Sequence, residues 1–154
     1  MAVITGILEL DIVLQILFAA ILGAIVGLER ELDMQPAGLR THALVCMGAA
    51  LFSALSLNFV GPNVDPTRIA AGIVTGIGFL GAGTIFVAKN TIKGLTTAAD
   101  LWVLAGVGFA IGIGLYWVAL VATIIVYFTL VFGRYLKKIE ETKLKASKSI
   151  KKMD

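Results

Sequence analysis

Long apolar runs separated by short charged stretches make up most of the chain. A helix needs about 20 predominantly apolar residues to cross the hydrocarbon core of a bilayer. The runs that approach or exceed this length are Ile12–Leu28, Ala43–Val60, Ile69–Ala88 and Leu101–Phe132. The last run carries no charged side chain. As one helix it would reach roughly 48 Å, against a core of about 30 Å, so it is too long for a single crossing.

The last run therefore predicts two helices, Gly94–Ile113 and Leu115–Arg134. Gly112 and Gly114 mark the break between them, and Tyr116 just beyond it suits a membrane interface. The pattern as a whole predicts an all-α, polytopic integral membrane protein with a bundle of five transmembrane helices. Composition agrees, because only 15% of the residues are charged, whereas soluble domains carry about 25%.

Lysine and arginine placement predicts the orientation in the membrane. Arg30 and Arg40 lie in the first loop, and Lys89 and Lys93 lie in the third. With five crossings these loops and the C-terminus are on one side, which the positive-inside rule assigns to the cytoplasm. We therefore expect a multi-pass protein with the N-terminus and the second loop outside.

The net positive charge comes from the C-terminal segment. Residues 134–154 hold one arginine and seven lysines against three acidic residues, whereas the rest of the chain has five basic and seven acidic ones. The +3 charge is therefore not that of a basic domain, and we expect no nucleic-acid partner. We divide the chain into a transmembrane domain, 1–136, and a lysine-rich cytoplasmic tail, 137–154, which can bind anionic lipid.

Glycines spaced four residues apart predict close helix packing, since lipid gives apolar helices no hydrophobic reason to associate. The pairs with this spacing are Gly23 and Gly27, Gly72 and Gly76, and Gly108 and Gly112, and Gly78 and Gly81 extend the second pair into a thin or kinked face of the third helix. We expect the first, third and fourth helices to pack tightly, and the chain to form a homo-oligomer, most simply a dimer. The GxGxxG string at 76–81 lacks the preceding strand of a dinucleotide-binding fold, so no cofactor is expected.

Asp100 is the polar residue that most needs an explanation. It lies six residues past Gly94, roughly 9 Å along the fourth helix, where a charge costs at least ~2.5 kcal/mol. Its candidate partners are Arg40 and Arg30. A structural ion pair, a hydrated carboxylate near the interface and a functional role all stay open. His42, the one histidine, is assigned a role at the start of the second helix and no catalysis.

Two further groups of polar residues have more than one interpretation. Asp65 precedes a proline and predicts an N-terminal cap for the third helix. The carboxylates of Glu29, Glu31, Asp33 and Asp100 permit magnesium, which takes oxygen ligands and water. Glu29, Glu31 and Asp33 could instead form, with Arg30 and Arg40, a network, a docking patch for a partner, or solvated helix ends. Nucleophile motifs are absent from the sequence, so no enzyme is expected.

Five ordered segments resemble the N-terminal membrane domain of the MgtC/SapB family. They are GLERE at 27–31, AGLRTHALV at 37–45, DPTRIAA at 65–71, GIGFLGAG at 76–83, and KGLTTAA at 93–99, followed by Leu101 and Trp102. The resemblance implies a protein of the prokaryotic plasma (inner) membrane, with a role in magnesium homeostasis and adaptation to low magnesium as a regulator of other membrane proteins. An ion transporter or channel subunit for magnesium or protons is the alternative. Longer members carry a soluble C-terminal domain, which this chain is expected to lack.

The resemblance also implies which polar residues matter. With Asp100 added on its depth in the membrane, the candidate functional residues are Glu29, Arg30, Arg40, Thr41, Asp65, Arg68, Thr96, Thr97, Asp100 and Trp102. The expected partners are the lipid bilayer, a second copy of the chain and other membrane proteins.

Overall fold

Five helices and one short hairpin form the described part of the chain. The computed structural model describes residues 8–57, 65, 67–88 and 91–150. Its elements are α1 Leu8–Leu32, α2 Leu39–Ser56, α3 Thr67–Gly83, β1 Phe86–Ala88, β2 Thr91–Lys93, α4 Leu95–Gly112 and α5 Tyr116–Ile150. This confirms the predicted helical membrane bundle. In the described residues four helices are long and apolar enough to cross a membrane, and α3, with 17 residues, is near the lower limit.

The turn between α4 and α5 confirms the predicted break in the long apolar run. Gly114 has a φ of 86°, a left-handed conformation that glycine adopts without steric cost. The Leu115 N–H donates to the carbonyl of Ala110, and the Gly114 N–H donates to that of Ile111. This pair of bonds is the Schellman arrangement, which satisfies helix carbonyls that otherwise lack a partner. The helix therefore stops there for a local reason.

The turn between α1 and α2 has the same bond pattern around a non-glycine residue. Met34 has a φ of 50°, and the Gln35 N–H donates to the carbonyl of Arg30. Beyond the turn, a carboxylate oxygen of Glu31 accepts the N–H of Leu39 at 2.8 Å and so caps the first turn of α2. The tight reversal places the end of α1 directly beside the start of α2.

A two-stranded hairpin follows α3, where the apolar run had predicted a helix as far as Ala88. α3 instead ends at Gly83, and β1 pairs antiparallel with β2, with Phe86 opposite Lys93. Residues 84–87 are threonine, isoleucine, phenylalanine and valine, which favour strands over helices. Gly94, at a φ of 84°, then turns the chain into α4.

α2 is the helix around which the bundle is built. A Cβ on Gly23 of α1 would come within 2.6 Å of the His42 carbonyl oxygen, and one on Gly27 within 2.7 Å of the Leu39 Cα. Gly108 and Gly112 of α4 approach the carbonyls of Cys46 and Ala50 on the same helix. These glycines therefore allow α1 and α4 to pack closely against α2, which confirms the tight packing predicted for the first and fourth helices.

The expectation that α3 packs as tightly is wrong within the chain. A Cβ on Gly72, Gly76 or Gly78 would meet no described atom within 4 Å, whereas one on Gly81 would meet Ala98 of α4 at 3.5 Å. The first three of these glycines therefore lie on an open surface of α3. This helix contacts the bundle mainly near its end, where Gly81 lies, and through Ile77. The predicted dimer stays a prediction.

α5 continues well beyond the end predicted at Arg134. It runs without interruption to Ile150, so the boundary placed at residue 137 marks a change in composition inside one helix. Of its membrane-spanning part, Ala119, Thr123 and Leu130 are buried and most of the remainder is exposed. The predicted roles of Val60, Pro66 and Lys89 concern positions outside the described residues.

Candidate functional site

The charged cluster lies where α1 ends and α2 and α4 begin, at what we call the charged end of the bundle. It consists of Glu29, Arg30, His42, Thr97, Asp100 and Arg134. The first five are at most 4% exposed as residues. Four of the six (Glu29, Arg30, Thr97 and Asp100) were candidates from the sequence, whereas His42 was assigned only a role at the start of the second helix and Arg134 no role.

Arg30 enters the cluster because of its place on α1. It follows Gly23 and Gly27 at helical spacing, so all three residues lie on the face that contacts α2. From that face its Nε lies 2.8 Å from Oδ2 of Asp100. The distance is that of an ion pair, although the Nε–H is not directed as a hydrogen bond. Its Nη2 donates to the hydroxyl of Thr97 at 3.3 Å.

His42 holds the other oxygen of Asp100. Its Nε2 lies 3.1 Å from Oδ1 of Asp100, and its Nδ1 lies 2.9 Å from the carbonyl oxygen of Gly38. A carbonyl can only accept, so Nδ1 carries a proton. His42 therefore bridges the start of α2 to α4.

Arg134 joins α5 to the cluster through Glu29. Its Nη2 lies 3.3 Å from Oε1 of Glu29, and Nη1 of Arg30 lies 3.8 Å from Oε2. Neither oxygen of Glu29 accepts a hydrogen bond from a described residue. The Glu29 carboxylate is therefore a buried charge balanced by two guanidinium groups, and the side chain of Arg134 is 40% exposed where it reaches the surface.

Opposite charges balance in the charged cluster, and this explains how it can be buried. Two carboxylates face two guanidinium groups, with His42 alongside Asp100. An unpaired charge at this depth would be expensive, and pairing with satisfied neighbours is the usual solution. The arrangement ties together four helices, α1, α2, α4 and α5, at one end of the bundle.

Several predicted residues lie outside the cluster. Arg40 and Thr41 are exposed on α2, so of the two candidate partners of Asp100 the structure confirms Arg30 and not Arg40. The reason is helical spacing, since Arg40 lies two residues before His42 and so points to a nearly opposite side of α2. Thr96 and Trp102 are likewise exposed on α4.

Asp65 and Arg68 lie at the opposite end of the bundle, where α3 begins. Asp65 accepts the hydroxyl of Thr67 at 2.6 Å and its N–H at 2.9 Å, which confirms the predicted cap. These hydrogen bonds, with a smaller contribution from the charge of Arg68, lower the pKa of Asp65 below its ordinary value. The carboxylate is thus anionic and engaged with the helix start at neutral pH.

The four carboxylates that permitted magnesium do not converge. Glu31 caps α2, and Asp33 accepts the amide of Gln35 at 2.8 Å. Glu29 and Asp100 both contact Arg30, whose guanidinium supplies the positive charge between them. In the described part of the chain no three histidine, cysteine or acidic side chains are grouped closely enough to hold a metal ion.

Polar side chains are also buried near the opposite end, on the same face of α1 as Arg30. Asp11 and Gln15 are at most 1% exposed, and Nε2 of Gln15 donates to the hydroxyl of Tyr116 at 3.1 Å. From Gln15 to Glu29 the helix rises about 21 Å. Between these two polar ends the buried positions of α1 are apolar or glycine.

Comparison with known proteins gives the family. The model of the MgtC family matches residues 16–139, which include the whole charged cluster. The chain belongs to the MgtC family. YhiD of Escherichia coli K12 is 48% identical over 115 residues, covering 69% of this chain and 53% of that protein. MgtC of Salmonella typhimurium LT2 is 50% identical over 114 residues, covering 74% of this chain and 48% of that protein.

A third relative is also matched over only about half of its own length. A protein of Haemophilus influenzae is 41% identical over 121 residues, covering 73% of this chain and 51% of that protein. The chain therefore spans about half the length of the curated relatives it matches. No solved structure matches it.

Proposed function

We propose that this chain acts in magnesium homeostasis as a non-enzymatic regulator of other membrane proteins, and that it does not itself conduct the ion. The magnesium association rests on the family and on one relative's name, "Putative magnesium transporter YhiD". The regulatory part rests on the interior of the bundle. Both are argued for the half of the relatives' length that this chain matches.

The apolar, closely packed middle of the bundle is the observation that supports a regulatory role over ion conduction. Leu22 and Val26 of α1, Cys46 of α2, and Leu104 and Val107 of α4 form one apolar cluster, and each is at most 4% exposed. An ion in such a layer would have no oxygen ligands to replace its water. The glycine contacts of α1 and α4 with α2 leave little room for water to follow it.

The buried carboxylates favour the second candidate, a conduit for magnesium or protons. Glu29 and Asp100 lie inside the bundle, and buried charge in a membrane protein commonly marks an ion pathway. In this chain, however, Arg30 contacts both carboxylates and compensates their charge. A conduit would require Arg30 to leave them during each passage of an ion.

A flux measurement separates the two candidates. The full chain in sealed liposomes, loaded with a magnesium-sensitive or a pH-sensitive dye, is compared with empty liposomes and with Asp100→Asn and Arg40→Ala proteins. We expect no flux above empty liposomes from any of them. Flux from the wild type and Arg40→Ala that Asp100→Asn abolishes would establish the conduit instead, since Arg40 is exposed and lies outside the charged cluster.

The regulatory role makes a complementary prediction in cells. A bacterial host without its own family member should regain growth in low-magnesium medium when it expresses the wild type, although the same protein gives no flux in liposomes. Asp100→Asn should fail to restore growth at matched membrane levels, and Arg40→Ala should restore it. Equal growth with and without the wild-type chain would contradict the proposal.

A further inference from the structure

An apolar groove runs along the surface between α2 and α3. It has a volume of about 620 Å³. Gly48 and Phe52 of α2 form one wall, and Gly72, Gly76 and Leu80 of α3 form much of the other. Among the described residues that line it, Arg68, at the opposite end of the bundle, is the one with a charge.

Glycine opens this groove, whereas the glycines of α1 and the pair Gly108 and Gly112 of α4 bring helices into close contact. A Cβ on Gly48, Gly72 or Gly76 would meet no described atom within 4 Å. The α2–α3 groove is therefore a real separation between two helices that face the membrane. A void there would forfeit dispersion contacts, so in a bilayer something apolar fills it.

The length and the charge of the groove indicate what fills it. From Arg68 to Leu80 α3 rises about 18 Å, close to the roughly 15 Å depth of one leaflet's hydrocarbon. Arg68 thus stands at the mouth of a leaflet-deep apolar channel. Its neighbour Asp65 already accepts two bonds from Thr67, so the exposed guanidinium has capacity for another anion.

We propose that the α2–α3 groove binds one glycerophospholipid, with its phosphate on Arg68 and an acyl chain along Gly72 and Gly76. A second copy of the chain is a less suitable occupant. A two-fold axis normal to the membrane would place both copies of Arg68 at the same depth beside the shared interface, where like charges repel. A lipid phosphate instead complements the arginine.

The test is native mass spectrometry of the full chain released from nanodiscs that contain phosphatidylglycerol. The wild type should retain one lipid. Gly76→Leu places a side chain in the groove, and Arg68→Gln removes the guanidinium. Each should lower the lipid-bound fraction about tenfold, as the loss of one charge-assisted or well-packed contact implies. Gly78→Leu is the matched control, since Gly78 is equally open but does not line the groove, and it should retain lipid.

Three results would overturn the proposal. The first is lipid retention by Gly76→Leu and Arg68→Gln at the wild-type level. The second is equal retention of a diacylglycerol with the same chains, because that lipid has no phosphate for Arg68. The third is a change in oligomeric mass in Gly76→Leu with lipid retention unchanged, which would assign the groove to a second copy. Thermal unfolding of each variant in detergent checks that all of them fold.

Discussion

Asp100 keeps its charge inside the bundle because two basic side chains divide its carboxylate between them. Arg30 stands at one oxygen and His42 at the other, from two different helices. A buried ion pair adds little net stability compared with apolar residues of the same shape, but removing one partner leaves the other uncompensated. The charged cluster therefore constrains every substitution made within it.

At the residue scale we predict that replacing one member of the Arg30–Asp100 pair strongly destabilises the protein, whereas replacing both members with apolar residues does not. Asp100→Asn leaves the Arg30 cation without its closest counter-ion and should destabilise the protein by about 3–5 kcal/mol. The double variant Arg30→Met, Asp100→Leu should recover most of that loss. Unfolding in detergent of the wild type, the single variants Arg30→Met and Asp100→Leu, and the double variant forms the cycle that measures the coupling between the two residues.

The cycle can also show that the two residues are independent. If the loss of unfolding free energy in the double variant equals the sum of the losses in the two single variants, Arg30 and Asp100 do not act as a pair. His42→Gln provides a second check, because glutamine can still donate to the carboxylate. It should cost less than Asp100→Asn if His42 serves mainly as a donor.

At the scale of elements, the same residue type has opposite consequences on different helices. Gly108 and Gly112 let α4 approach α2 until backbone and side chain touch, whereas Gly72, Gly76 and Gly78 leave the α3 surface open. All of these glycines belong to similar sequence patterns. Spacing alone predicts that a glycine face exists, but not whether another helix occupies it.

This difference predicts opposite effects of one substitution. Gly108→Ala would push a Cβ into the Cys46 carbonyl and should destabilise the protein by about 1–3 kcal/mol. Gly78→Ala meets nothing and should be neutral or stabilising by up to about 1 kcal/mol, since alanine favours a helix more than glycine does. Thermal unfolding of both proteins in the same detergent makes the comparison. Similar losses in the two would mean that the α3 glycines are also packed.

At the scale of the whole molecule, the charged cluster joins four helices at one end, and the two ends differ in character. The charged end also carries the hairpin and the lysine-rich continuation of α5. The opposite end carries Asp65, Arg68 and the turn at Gly114. We propose that the charged end faces the cytoplasm, following the distribution of lysine and arginine.

Cysteine labelling tests this orientation directly. The one cysteine, Cys46, is buried, so Cys46→Ala gives a background for single cysteines at two exposed positions. We expect Asp65→Cys to react with a membrane-impermeant maleimide in intact cells, or in spheroplasts where an outer membrane blocks access. Met34→Cys, whose native side chain is 92% exposed, should react only after the membrane is opened. The reverse pattern would refute the proposed orientation.

The sequence by itself determined that the chain is a membrane bundle of five helices, where the long run breaks at Gly112 and Gly114, and which family it resembles. These properties follow from local composition, because transfer into lipid, helix propensity and the left-handed preference of glycine act over one turn or one span. It also marked Asp100 as a group that needs a partner.

Only the tertiary structure decided which partner that is. Arg30 and His42 meet Asp100, and Arg40 does not, because the direction of each side chain around its helix depends on how α1 and α4 pack against α2. It also decided that α2 occupies the space beside Gly108, whereas the space beside Gly76 is open. Such contacts join residues tens of positions apart, and their geometry depends on the packing of whole helices rather than on any single stretch of chain.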